Sequence, residues 1–370
     1  MKTILFLAPA NSIHSWRWIS SFKEKGFRVV WISLHKYDQT MSKEYCGIKP
    51  KCFYRSSSFF INIFFALKYI YLRKSKEKID LIHSHSVASY GILGAFSRIK
   101  PFVATAWGSD VLVTGKSFPS RVFIKYVLKK ADLLTCDAQH MSDAICDFGV
   151  KRSKVKVIDF GVDTLKFNKL KKPSEKYSKE FSNDRIDFNV ISLRNHYKVY
   201  DIQTLIKSIP IVIEQIDNVQ FIIAGTGPET KALEGLVKEL NIHNRVLFFG
   251  GYNGEELPEI FSAVDIYIST SLSDAGLSSS TAEAMSCCTP VVISDVADND
   301  VWIKNKYNGM LFNAGDYKKL AKIIIELYKN PSERIKMGEK GRSIIVRNKD
   351  SITEMHKMNE LYNSCLLDNN

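Results

Sequence analysis

Arg194 and Glu283 are the residues whose surroundings most directly offer chemistry. Arg194 ends the apolar run FNVISL (188–193), from which a fixed positive charge suits a leaving diphosphate. Lys198, four residues on, is either a second cation for the same anion or a surface lysine. Glu283 lies in a helical pattern that follows the small-residue loop SLSDAGLSS (271–279). A carboxylate there accepts two hydrogen bonds well, as from a ribose diol, or serves as a buried acid of the fold. Amides at the start of that helix can hold phosphate oxygens without any cation, helped by the helix dipole. In AGTGPE (224–229), Gly225 and Gly227 let backbone amides approach a diphosphate or ribose; a tight strand-to-helix turn is the plainer reading. No third glycine follows at dinucleotide spacing, which argues against a nicotinamide site.

Groups of this kind work only if an architecture brings them to one place. Short apolar runs alternate with helical patterns along the whole chain, the mark of parallel α/β sheets. The strands read 3–9, 28–33, 80–85, 102–106, 133–138 and 155–159 in the first half, then 188–193, 219–225, 246–251, 266–271 and 291–295. Continuous rather than alternating apolar strands imply sheets covered on both faces. The polar stretch 166–185, with Pro173, breaks the rhythm and reads as a joint. The expected organisation is a first domain over 1–170, a linker over 171–185, a second domain over 186–345 and a terminal helix over 346–370 packing back on the first domain. Ser351 and Glu354 read as the capping box of that helix. The fold class is α/β, two Rossmann-like doubly wound domains with a ligand cleft at the carboxyl ends of their strands.

Composition narrows the partners. Residues 1–170 hold 28 Lys and Arg against 12 Asp and Glu, a net +16, while the rest holds 24 against 27, a net −3. A partner that meets only the first domain is expected, either nucleic acid or an anionic membrane surface. No nucleic-acid motif is present, so a membrane contact leads, with a solvated lysine-rich surface as the alternative. The segment FFINIFFALKYIYLRKSKEK (59–78) joins an aromatic run to cations, as interfacial helices do, and Arg121, Lys125 and Lys129 recur at four-residue spacing. Met1 and Lys2 lead straight into a buried strand, so no secretory signal is expected. The seven cysteines (46, 52, 136, 146, 287, 288, 365) show no metal-ligand spacing, and reduced thiols in a cytoplasmic protein are expected.

Several stretches together carry a resemblance: FGVDTLKF (160–167), SLRNHYKVYDIQTLIKSI (192–209), AGTGPE, VLFFGGYNGEELPEIFSAVDIYIST (246–270), and SDAGLSSSTAEAMSCCTPVVISD (273–295) with NDVWI (299–303). The chain resembles glycosyltransferase family 4, whose fold is GT-B: two Rossmann-like domains facing across a cleft. The resemblance covers nearly all of the second domain and more loosely the first, through DLIHSH, VATAWGSD and FGVD. It implies that Glu283 is the ribose ligand and Arg194 the phosphate-binding arginine. The family's other glutamate falls on Ala275, beside Asp274, and its lysine falls on Tyr200, with Lys198 the nearest cation. Gly276, Leu277 and Ser278 occupy the loop that meets phosphate and sugar, and Gly251 and Tyr252 stand where the base is held. In the first domain the family's histidine falls on Trp107, and Asp110 is an alternative contact to the donor sugar. The usual double glycine near the N-terminus is replaced by NSIHSWRW (11–18), where His14 and Arg17 are acceptor-side candidates.

The function this implies is retaining, hexosyl-type glycosyl transfer from a nucleotide-sugar, UDP-linked by preference with GDP open, to a lipid-linked or growing cell-surface glycan. Catalysis would rest on neutralising the leaving diphosphate and orienting both substrates, the donor's own phosphate oxygen receiving the acceptor proton. No cofactor and no metal are expected. The protein would work in the cytoplasm, peripherally on the inner face of the cell membrane, without nucleic acid. The rival readings are a sugar-nucleotide epimerase or hydrolase on the same fold, which needs acid/base carboxylates, and a non-catalytic nucleotide-sugar-binding subunit.

Overall fold

The computed structural model of the chain describes residues 1–37, 47–54, 58–112, 114–116, 118–170, 172–181, 186–274 and 276–367. Cys46 and Ala275 lie outside them. The chain forms two compact units, Met1–Phe160 with Ile352–Asn370, and Gly161–Ser351.

Among the described residues the first unit is built on seven strands: β1 (Thr3–Leu7), β2 (Arg28–Ser33), β3 (Lys51–Cys52), β4 (Leu81–His85), β5 (Phe102–Thr105), β6 (Leu133–Cys136) and β7 (Val155–Val157). All pair in parallel, in the order β3-β2-β1-β4-β5-β6-β7. Ile4 stands opposite Val29 on one side and Leu81 on the other, and every residue of β1 is buried. Such double-sided burial, about 1.5–3 kcal/mol for each large apolar side chain, is why the run TILFL cannot be an exposed strand. The two-residue edge strand β3 was not among the expected strands. It is too short and too polar to show as an apolar run.

The second unit holds β8 (Phe188–Ser192), β9 (Val219–Ala224), β10 (Val246–Gly250), β11 (Ile266–Ser269), β12 (Val291–Ser294) and β13 (Met310–Phe312). Their order is β10-β9-β8-β11-β12-β13, again all parallel. Each sheet has one place where chain order reverses direction: between β1 and β4, and between β8 and β11. Helices leave the two central strands there on opposite faces, so a crevice opens at the carboxyl ends.

The structure redraws two expected boundaries. The first unit ends at Phe160 rather than 170, and Val162 already pairs with Lys349 and Asp350 within the second unit. The stretch expected as linker contains a helix, Glu175–Phe181, whose Tyr177 and Phe181 are buried in the second unit's core; residues 171 and 182–185 lie outside the described residues. Two aromatic residues four apart give that polar segment one apolar stripe, enough to anchor a two-turn helix. The last helix, Ser351–Leu367, buries Met355, Met358, Tyr362 and Leu366 in the first unit's core. Its expected capping box is absent in that form. Ser351 is already helical, and buried Glu354 instead accepts the N–H of Asp159 at 3.1 Å. Among the described residues no helix is long and apolar enough to cross a membrane.

Candidate active site

In the second unit, the carboxyl ends of β8, β9, β10 and β11 bring most of the expected donor-side residues together. Arg194 follows β8 and is almost fully buried, with Nη2 2.6 Å from Asp274 Oδ1 beyond β11. Its guanidinium lies 4.1 Å from the ring centre of Tyr200. Tyr200 is itself pinned, because its carbonyl accepts the Thr270 hydroxyl at 2.9 Å. The tyrosine that stands at the family's lysine position thus forms the floor under the arginine. Burial opposes the Arg194 charge, but Tyr267, Asp274 and Tyr200 outweigh it and hold the group cationic. Burial also pushes the Asp274 carboxyl up, against the pull of Arg194. A pair this enclosed is geometrically fixed, whatever its net contribution to stability.

Tyr252 completes this wall. Its hydroxyl donates to the Leu193 carbonyl at 3.0 Å, just before Arg194. Burial, then Tyr267 and Glu283, push its phenol up, while Arg194 pulls it down. Glu283 is buried in the helix Ser279–Ser286. Ser278 caps that helix, its Oγ accepting Thr281 N–H at 3.3 Å, and the Tyr267 and Ser280 hydroxyls meet at 2.7 Å. Buried Leu277 anchors the preceding loop, so Gly276 and Ser278 are held beside the helix start. Gly251 is exposed after β10, with open space where a side chain would stand.

Three expected roles are corrected by these distances. Gly225 and Gly227 do not present free amides: their N–H groups donate to the Gly250 carbonyl at 2.6 Å and to Thr230 Oγ1 at 3.1 Å. They are glycines because the segment 194–196 passes directly over them. A Cβ on Gly225 would lie 2.8 Å from the Arg194 carbonyl oxygen, and one on Gly227 2.4 Å from that of His196. Lys198 stands on an exposed turn and lines a groove of about 790 Å³ with Gln203, Lys207 and Glu239, whose lining does not include Arg194 or Asp274. Asp110, in the first unit, is buried, and its two oxygens accept the N–H groups of Val87 (2.9 Å) and Trp107 (3.0 Å). It braces the turns after β4 and β5; burial raises its carboxyl against those hydrogen bonds.

The first unit also gathers residues at its strand ends. His14, at the start of the helix after β1, packs its ring 6.1 Å from Trp107 and 4.9 Å from Phe160. Half-buried Arg17 lies close enough for its charge to bear on His14. His85, the last residue of β4, joins them at 5.8 Å from Trp107. Both His85 ring nitrogens and Trp107 Nε1 are buried without a protein hydrogen-bond partner. His85 is not among the residues singled out in the sequence; its place at the reversal between β1 and β4 is the signal that marks it. Its neighbour His83 is structural, bonded to Tyr362 and, at 2.7 Å, to Thr105. Among the described residues no group of three or more His, Cys, Asp or Glu stands together as a metal site.

Two doubly wound units, the second with a buried arginine, a helix start and a buried glutamate around one crevice, define a glycosyltransferase of the GT-B type. Two family models match: "Glycosyl transferase 4-like" over residues 3–138 and "Glycosyl transferases group 1" over 173–344. The chain belongs to glycosyltransferase family 4. It is similar to N-acetyl-alpha-D-glucosaminyl L-malate synthase of Bacillus anthracis, 24% identical over 73% of this chain and 71% of that one. It is 26% identical to the UDP-Gal:alpha-D-GlcNAc-diphosphoundecaprenol alpha-1,3-galactosyltransferase of Escherichia coli, over 79% and 77%. Among solved structures, Anabaena Alr3699/HepE in complex with UDP superposes with a TM-score of 0.83 at 19% identity, covering 98% of this chain and 100% of that one.

Proposed function

We propose that this glycosyltransferase moves a hexosyl residue from a UDP-sugar to a lipid-linked or growing cell-surface glycan, with retention of anomeric configuration. The observation that carries the reading is the fixed Arg194 guanidinium, braced by Asp274 and Tyr200 beside the Ser279–Ser286 helix start. A positive charge held there before the reaction stabilises the diphosphate most when the glycosidic bond breaks and charge builds on the leaving oxygen. The buried Glu283 accepts the ribose hydroxyls, and Tyr252 borders the base. Support for the donor comes from Alr3699/HepE, solved with UDP and with UDP-glucose. Support for the acceptor comes from the Escherichia coli relative, which by name galactosylates a diphosphoundecaprenol-linked sugar. In the first unit, His14, Arg17, Trp107 and His85 form the acceptor side. The protein acts from the cytoplasm, peripherally at the inner face of the membrane, and uses no metal.

A panel of nucleotide-sugars in a thermal-shift assay tests the donor, since a ligand at 100 times its Kd adds about 2.7 kcal/mol of stability. UDP-sugars should raise Tm above GDP-sugars at equal concentration. NMR of the first-formed product then reads the anomer: an α-linked product from an α-linked donor supports retention, and a β-linked one contradicts it.

A further inference from the structure

The donor site leaves one large groove of the second unit unused. It lies along the helices Ile202–Ile213 and Thr230–Glu239, and the turn after Arg194 adds Tyr197 and Lys198 to its lining. Its volume of about 790 Å³ falls within the roughly 300–1,000 Å³ usual for ligand sites. Buried Ile202 and Leu233, with half-buried Leu236, give it an apolar floor.

Two features of the lining are not explained by stability. Gly235 sits inside the helix Thr230–Glu239, where only proline is less favourable than glycine. No neighbour demands a glycine there, because a Cβ would meet nothing within 4 Å. What the missing side chain does is leave the groove open along that helix. The second feature is charge. Lys198, Gln203 and Lys207 belong to the turn and the first helix, Glu229 and Glu239 to the second. Among the described residues none of these five side chains is hydrogen-bonded or ion-paired. Beside them the Tyr197 side chain is 52% exposed.

This lining selects among ligands. An anion would meet Glu229 and Glu239, and a cation would meet Lys198 and Lys207. An apolar molecule would desolvate all five polar groups without pairing any. A neutral polyhydroxylated chain suits every part. Its hydroxyls donate to the carboxylates and accept from the ammonium groups and the amide. The C–H faces of its sugar rings pack on Tyr197 and the apolar floor. We propose that this groove is a separate glycan-binding site, holding a neutral oligosaccharide stretch of the growing chain away from the sugar that reacts. The inference rests for its purpose on the reading of the acceptor as a growing glycan. Tyr197 comes three residues after Arg194, so the groove and the donor site share one loop.

The test is saturation-transfer NMR of the full chain, without UDP, against two panels of short oligosaccharides. One panel is neutral, built from glucose, galactose, mannose and N-acetylglucosamine; the other carries a uronic acid in place of one unit. At least one neutral member should bind, and its uronate counterpart more weakly. Glu239→Ala should weaken binding about tenfold, as loss of a hydrogen bond to a charged acceptor implies. Gly235→Phe fills the groove and should abolish binding, circular dichroism showing both variants folded. UDP should bind both variants as it binds the wild type. No binding by any neutral member, or tighter binding of the uronates, overturns the proposal. So does binding that both variants leave unchanged, which would assign the sugar to another site. A dimer in sedimentation velocity that Gly235→Phe dissolves would make the groove a contact between proteins and equally overturn it. The assay needs neither donor nor turnover, so failure of the wild type to bind UDP would sink the donor assignment and leave this result standing.

Discussion

The ion pair between Arg194 and Asp274, 2.6 Å long, spans the one place in the second sheet where strand order reverses. Arg194 follows β8 and Asp274 follows β11, and these neighbouring strands send their connections to opposite faces. The crevice that the topology opens is thus bridged by a base and an acid. If Arg194 holds the donor diphosphate, as proposed, that diphosphate must compete with Asp274 for the same guanidinium.

That competition gives the first prediction. Asp274→Asn keeps a hydrogen-bond acceptor beside Arg194 but removes its counter-charge. Leaving a buried charge unpaired costs about 3–5 kcal/mol when the partner is lost entirely, so the ligand-free variant should melt lower, by the smaller end of that range. UDP restores the missing negative charge, so its thermal shift should exceed that of the wild type. An equal or smaller shift would mean that Asp274 and the phosphates do not share Arg194.

Arg194→Ala should depress kcat by about 10²–10³, the usual loss when one fixed donor to a developing oxyanion is removed. The apparent donor constant should change less. Steady-state kinetics at saturating donor decide it: a normal kcat with a raised KM would make Arg194 a ground-state ligand only. Lys198→Ala should leave both constants near wild type, because its exposed turn faces another groove.

Gly227 offers a structural test of how Arg194 is held. A Cβ there meets the His196 carbonyl oxygen at 2.4 Å, so Gly227→Ala must displace the segment that carries Arg194. The expected loss is about 1–3 kcal/mol, as for other overpacked sites, with reduced turnover. Gly235→Ala has open space and sits within the helix Thr230–Glu239. It should be neutral or stabilising by up to about 1 kcal/mol. Chemical denaturation of the pair reads both; equal midpoints would show that the 194–196 segment yields freely.

Much of the fold was legible because its strands are unbroken apolar runs. TILFL, FNVIS and VQFIIA can be buried on both faces and lie at their expected places. The two-residue β3 and three-residue β13 carry too little pattern to be seen. In the site, the position of Arg194 after β8 followed from its run. Its partners did not: Asp274 is 80 residues away, and Tyr200 reaches Arg194 only through the 198–200 turn. Nor does a glycine's type say what approaches it: in sequence Gly225 and Gly227 suit ligand amides or a tight turn alike, and the Arg194–His196 segment passing over them accounts for both.

Two histidines of the first unit, half-buried His14 and fully buried His85, predict a pH dependence. Burial, with the Arg17 charge adding to it, holds His14 down to about 4; burial with the His14 charge holds His85 down to about 3. Both are neutral in the folded protein at pH 7, whereas in the unfolded chain they take up protons near 6.5. Below that pH the unfolded state binds more protons, so stability present at neutral pH falls on acidification. The slope is about 1.4 kcal/mol per pH unit for each ring, until each folded value is reached. Urea midpoints at pH 7 and pH 5 should fall in the wild type and fall less in His14→Phe. Parallel losses would show that His14 is not held neutral by folding.

The central claim, that the second unit holds a uridine diphosphate through Glu283 and the Arg194 site, is tested most directly by calorimetric titration of UDP into wild-type and Glu283→Ala protein. The account predicts one site in the wild type. In the variant, affinity should fall at least tenfold, since each hydrogen bond lost to a charged acceptor is worth about 1.5–3 kcal/mol. Equal UDP affinity in a folded Glu283→Ala protein, or no UDP binding by the wild type, would contradict it.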